Sequence, residues 1–209
     1  MVISKLSMPE SNNQNFNHLK IHTQYSICEG AIKIDNLKDF CKENKIPCLG
    51  LSDTSNLCGA LEFAENISKV GTQPIIGTQI FFRFEDTTGL LPLIALNENG
   101  YKRIIELSSR SYLENDPLSD PHLDIKELLI DTKGVSLLSG TIQGLFGKLF
   151  EKGRLEEISK LYKSLSSKFN DNFYLEIQRH GDQNEIAFEK FNLEQSLKIK
   201  IPIIATNEV

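Results

Sequence analysis

No part of this sequence is an apolar run near the roughly 20 residues a membrane-spanning helix requires. The opening stretch, residues 1–17, is polar and rich in asparagine, with no apolar core of a secretory signal. No CxxC pair occurs, and the four cysteines, Cys28, Cys41, Cys48 and Cys58, read as free buried thiols of a reducing, cytoplasmic compartment. Basic excess is lacking too: the formal net charge is -5 and the pI about 5.5. Such a surface is poorly suited to gripping a phosphate backbone, so weak or no DNA binding is expected of the chain alone. The phosphate and nucleophile motifs GxGxxG, GxxxxGK[ST] and GxSxG are absent, as are internal repeats.

What remains is an ordinary globular composition, 40% hydrophobic and 24% charged over 209 residues. Short apolar runs alternate with longer amphipathic stretches. Strands are expected over 18–22, 48–52, 74–82, 92–96, 135–139, 173–178 and 201–205. Their continuous apolar character suits strands buried on both faces, as in parallel sheets. Helical spacing marks 34–44, 57–70, 101–112, 125–129, 145–150, 155–169 and 186–197. Residues 114–123, with two prolines and two aspartates, read as a loop. Repeated βα units imply a parallel α/β fold, and seven strands favour a closed barrel. The expected layout is a flexible tail over 1–15 and one domain over 16–209. Its last strand stops near its own tip, which suggests a truncated barrel and a piece of a longer protein. An uncovered edge there would invite self-association.

In such folds chemistry gathers where strands end. Alternation puts His18, Lys20 and His22 on one strand face. Two histidines could ligate a metal, but the ammonium between them cannot and would repel a cation. A polar interior tied by hydrogen bonds is the other reading. Asp53 could hold a cation or cap a helix beginning near Asn56. Gln79 interrupts an apolar run and must be hydrogen-bonded if buried. Thr141 follows the fifth strand, Glu176 and Gln178 lie in the sixth, and His180 sits at its tip. Thr206, Asn207 and Glu208 close the last one.

The order of seven blocks carries more than any single residue. They are FNHLKIHTQYSICEGA (16–31), PCLGLSDTSNLCGALEF (47–63), QPIIGTQ (73–79), LIALNENGYKRIIELSSRSYL (93–113), VSLLSGT (135–141), FYLEIQRHG (173–181) and IPIIATNEV (201–209). Together they resemble the PHP (polymerase and histidinol phosphatase) domain at the N-terminus of the alpha subunit of bacterial DNA polymerase III, of the proteobacterial type. The resemblance implies a distorted seven-stranded βα barrel, TIM-like, with a pocket that binds several metal ions in metal-competent members. Those members hydrolyse phosphoesters, some as 3′–5′ exonucleases.

Carried over position by position, most ligands fail. Lys20 stands where a histidine is expected, and His22 matches. Glu29 replaces an aspartate. Asp53 matches, but its histidine partner is Thr54. Gln79 replaces a glutamate, Leu90 lies near an expected histidine, Thr141 replaces a cysteine, and Glu208 replaces an aspartate. His18 and His180 are expected as neighbours of this pocket. The resemblance thus implies a vestigial metal site with no metal, no cofactor and no catalytic residue in these 209 residues. Lys20 is expected to replace the metal's charge by pairing with Glu29 or Asp53. The parent protein would be a DNA-directed DNA polymerase whose magnesium sits in a palm absent from this chain. The domain would support that core and dock the proofreading exonuclease subunit, with no role for a membrane. The alternative is an active metal-dependent PHP phosphoesterase, acting as exonuclease or pyrophosphatase.

Overall fold

The computed structural model describes residues 16–116 and 118–208; the expected N-terminal tail lies outside them. Strands β1 (Cys48–Thr54), β2 (Gln73–Phe84), β3 (Thr87–Ala95), β4 (Leu123–Asp124), β5 (Val135–Leu138), β6 (Phe173–Ile177) and β7 (Ile203–Ala205) form one curled sheet. Its order is β1-β2-β3-β5-β6-β7, with β4 paired to the far end of β2. Helices α1 (Ile34–Asn44), α2 (Ala60–Ser68), α3 (Glu98–Leu113), α4 (Leu145–Glu151), α5 (Leu155–Phe169) and α6 (Glu185–Ile199) connect the strands.

The helices form where apolar residues recur on one face. In α2, Ala60, Phe63 and Ile67 are buried; in α5, Ile158, Tyr162, Leu165 and Phe169. Asn97 caps α3 by accepting a hydrogen bond from the Gly100 amide at 3.1 Å. The larger core lies under β2, β3, β5 and β6, where Ile80, Phe82, Leu91, Leu93, Leu137 and Phe173 are fully enclosed. A smaller one packs Ile21, Leu49 and Leu51 against α1 and α2. The fully buried Tyr162 hydroxyl, its ionised form disfavoured by desolvation, donates to Asn192 at 3.0 Å.

Three expectations need correction. The sheet is mixed, because β2 and β3 form an antiparallel hairpin, and β3 also runs antiparallel to β5. The two expected strands extend toward each other and meet in a tight turn at Glu85 and Asp86, Glu85 taking a left-handed φ of 53°. The loop over 114–123 ends in the short β4, placed by pairing with Phe82 and Arg83. The thiols divide: Cys41 is buried and raised in pKa by desolvation, whereas Cys28 and Cys58 are exposed.

The fourth correction positions the site. Residues 18–22 make no regular strand; the segment is extended, with isolated bridges Lys20 to Glu208, Ile21 to Leu51 and Thr23 to Ile32. It lies along β1, the Gly50 amide donating to the His18 carbonyl and the Ile21 amide to the Gly50 carbonyl. Gly50 is required here, since a Cβ would stand 2.6 Å from the Leu19 Cα. Through these contacts the segment spans from β1 to the residues just past β7, joining the two edges of the curled sheet. Its inward side chains, Lys20 and His22, thereby enter the sheet's polar interior.

Candidate functional site

Lys20 is 1% exposed, and its ammonium lies 3.2 Å from both Glu176 Oε1 and Glu208 Oε2. Glu176 is fully enclosed in β6 and is not among the residues expected from the sequence to line the pocket. Its Oε1 also accepts from Gln178 Nε2 at 3.1 Å and from the Thr206 hydroxyl. The expected pairing of Lys20 with Glu29 or Asp53 is therefore replaced by pairing with Glu176 and Glu208.

Both expected partners are engaged elsewhere. Asp53, at the end of β1, accepts from the Thr23 amide at 2.7 Å, the Thr23 hydroxyl at 2.8 Å and the Ser26 hydroxyl at 2.7 Å. Charge-assisted hydrogen bonds satisfy this buried carboxylate without a cation. Nor does Asp53 cap a helix, since α2 begins only at Ala60. Glu29 is half-exposed and accepts from the Thr54 hydroxyl at 2.5 Å, so Thr54 binds an acid at the position where the resemblance leads one to expect a histidine.

His22 Nε2 lies 2.8 Å from Glu208 Oε1, and Gln79 Nε2 donates to the same oxygen at 2.5 Å. The 3.0 Å approach of Gln79 Nε2 to His22 Nε2 is then the contact of two donors sharing one acceptor. On the other ring nitrogen, Nδ1 lies 3.2 Å from Ser26 Oγ. Burial pushes the Glu208 carboxyl up, but the His22 hydrogen bond, the Lys20 charge and the Gln79 hydrogen bond outweigh it. Its pKa is held well below the usual carboxylate range.

Four expected members stand apart. Leu90 lies inside the β2–β3 hairpin opposite Phe81 and offers no ligating atom. Thr141 faces a small cavity with Glu176 and Gln178, its hydroxyl accepting from the Gln143 amide at 3.3 Å. The His18 ring packs edge-on against Phe16 at 5.0 Å and has no hydrogen-bond partner at Nδ1 among the described residues. His180 is exposed and bonds Asn207 at 2.7 Å. Strand alternation does place Glu176 and Gln178 on one face of β6, away from Leu175 and Ile177. That was the available signal for Glu176, but its pairing with a residue 156 positions away (176 − 20) needs the folded sheet.

This donor set does not fit a metal cluster. An ammonium occupies the space between two carboxylates, a primary amide stands beside the imidazole, and the remaining acid is saturated by neutral donors. Among the described residues no group of three or more His, Cys, Asp or Glu is placed to hold a metal ion. The acids are instead held by one lysine, one imidazole, hydroxyls, and side-chain and backbone amides.

A mixed, curled sheet ringed by helices, with a polar cluster at the strand ends, places the chain among α/β barrel-like folds. Two solved structures share it: a protein described as a metal-dependent phosphoesterase from Bifidobacterium adolescentis, at TM-score 0.60 and 12% identity over 91% of this chain and 86% of that one, and an amidohydrolase from Chromobacterium violaceum, at TM-score 0.60 and 11% identity over 92% and 86%. At those identities they show the fold alone. The PHP domain family model matches residues 18–180, and the chain belongs to that family. It is 36% identical to DNA polymerase III subunit alpha of Caulobacter vibrioides over 97% of its own length and 18% of that protein's. With the Rickettsia felis subunit alpha it shares 34% identity over 93% and 16%. The chain therefore spans less than a fifth of the curated relatives it matches.

Proposed function

We propose that this chain is the PHP domain of a replicative DNA polymerase III alpha subunit and that the domain itself is a non-catalytic scaffold. The observation that carries this reading is the Lys20 ammonium, enclosed between Glu176 and Glu208 where a metal-competent member needs ligands. A lysine there supplies a permanent positive charge to buried acids, so the barrel keeps its polar interior without a metal to hold it together. The parent would add deoxynucleotides to a primer, with magnesium in a palm that these residues do not include. The scaffold would support that polymerase core and dock the proofreading exonuclease subunit in the cytoplasm. The acidic net charge suits contact with protein more than with DNA.

The test has two arms on the purified chain. Metal analysis after equilibration with zinc or manganese is expected to find no stoichiometric ion, and a phosphoesterase and 3′–5′ exonuclease assay no turnover above background. Near-stoichiometric metal that disappears in His22→Ala, together with hydrolysis, would establish the active phosphoesterase instead. Co-elution with the proofreading exonuclease subunit on size exclusion is the expected result of the second arm. Separate elution removes the docking role.

A further inference from the structure

The Lys20 pair leaves one charged oxygen unexplained. Glu176 Oε1 takes three donors, but no donor among the described residues reaches its Oε2, although the side chain is 0% exposed. A carboxylate oxygen enclosed without a hydrogen bond is expensive and rare. Glu176 also lines a cavity of about 10 Å³ between β6 and the start of α6. That volume is near the lower bound for a single water molecule.

Its walls carry the groups a water would need. Besides Glu176 they include Thr141, Gln178 and Glu185, with Ile142 and Phe188 as apolar walls. The Thr141 hydroxyl accepts from the Gln143 amide, which leaves its own hydrogen to donate. Each Glu185 oxygen accepts one backbone amide, from His180 at 2.9 Å and Gly181 at 2.8 Å, and keeps a second lone pair. Gln178 contributes no donor, because its amide hydrogens go to Glu176 and Thr206.

We infer that this cavity is a binding site for one ordered water, which donates to Glu176 Oε2 and to the Glu185 carboxylate and accepts from Thr141. Three hydrogen bonds are the usual complement of a buried water. The water ties the N-terminus of α6 to the barrel interior and completes the shell of the acid that holds Lys20. A monovalent cation is the competing occupant of a cavity lined by three acids, Glu176, Glu185 and Glu189. It is disfavoured because Lys20 already compensates Glu176, two amides hold Glu185 and Arg179 pairs with Glu189.

A high-resolution crystal structure of the chain tests this. One water is expected about 2.6–3.0 Å from Glu176 Oε2, with a second polar contact to Thr141 or Glu185. An empty cavity, or Oε2 turned onto a protein donor, would overturn the assignment. So would anomalous density at the same point after a rubidium soak, which would establish a cation. In solution, water-to-amide cross-relaxation should report a long-lived water in the native chain and in Thr141→Ser, but not in Thr141→Val. A signal unchanged in the valine variant removes Thr141 from the site.

Discussion

Lys20 has a long side chain whose charge is almost never enclosed unless paired. Here its enclosure is compensated twice over, by Glu176 in β6 and by Glu208 beyond β7. Removing one partner of a buried pair strands the other charge, which costs about 3–5 kcal/mol. Lys20→Ala is therefore expected to lower unfolding free energy by that amount in a urea titration. Lys20→Met combined with Glu176→Gln should recover much of it, because the fully enclosed charge of Glu176 goes with that of Lys20, Glu208 keeps His22 and Gln79 as partners, and no large cavity is left; a double variant as unstable as Lys20→Ala would show that the charges themselves are required. Glu208 makes stability depend on pH. Its folded pKa lies below its ordinary 4.5, so its contribution is complete above that value and is lost as pH falls through the folded one. Acid unfolding should consequently begin later in Glu208→Gln than in the native chain, relative to each protein's neutral-pH stability. Equal acid slopes would rule out this role.

Among the elements, the least regular one matters most. Residues 18–23 lack the paired neighbours of a true strand, yet they join the two edges of the sheet and carry Lys20 and His22 into its interior. Their close fit on β1 depends on Gly50. Gly50→Ala puts a methyl against the Leu19 backbone, and overpacking of this kind costs about 1–3 kcal/mol. Thermal unfolding should show the loss, and hydrogen exchange should show it concentrated at Ile21 and Ser52, whose amides bond across this seam. A uniform loss of protection would mean that the segment does not open separately. The β2–β3 hairpin is the opposite case: it is regular and long, and it breaks the all-parallel pattern with a turn that neither Gly nor Asn-Gly announces. Its turn acid Asp86 is instead held by Lys152 and Arg154, and the Lys152 hydrogen bond lowers its pKa.

For the molecule as a whole, charge and fold point the same way. An acidic domain of this size should show little affinity for DNA. Fluorescence anisotropy with a labelled primer-template near physiological salt is expected to give no saturable binding at micromolar protein. Binding that weakens linearly with the logarithm of salt would reveal a basic surface that the net charge conceals.

The sequence by itself determined the βα alternation, the helices and the seven ordered blocks of a PHP domain; that metal ligands are replaced at Lys20, Thr54, Gln79, Leu90 and Thr141 is what the resemblance implies. Periodicity and residue chemistry are local, and the order of the blocks is read along the chain. Tertiary structure alone decided that β3 runs antiparallel, that the first segment is a seam and not a regular strand, and that Lys20 meets Glu176 and Glu208 and not Glu29 or Asp53. Pairing across 156 (176 − 20) and 188 residues is fixed by sheet curvature and register, which no local pattern encodes. A charge finds its partner through the path of the backbone, and that path exists only once the sheet has curled.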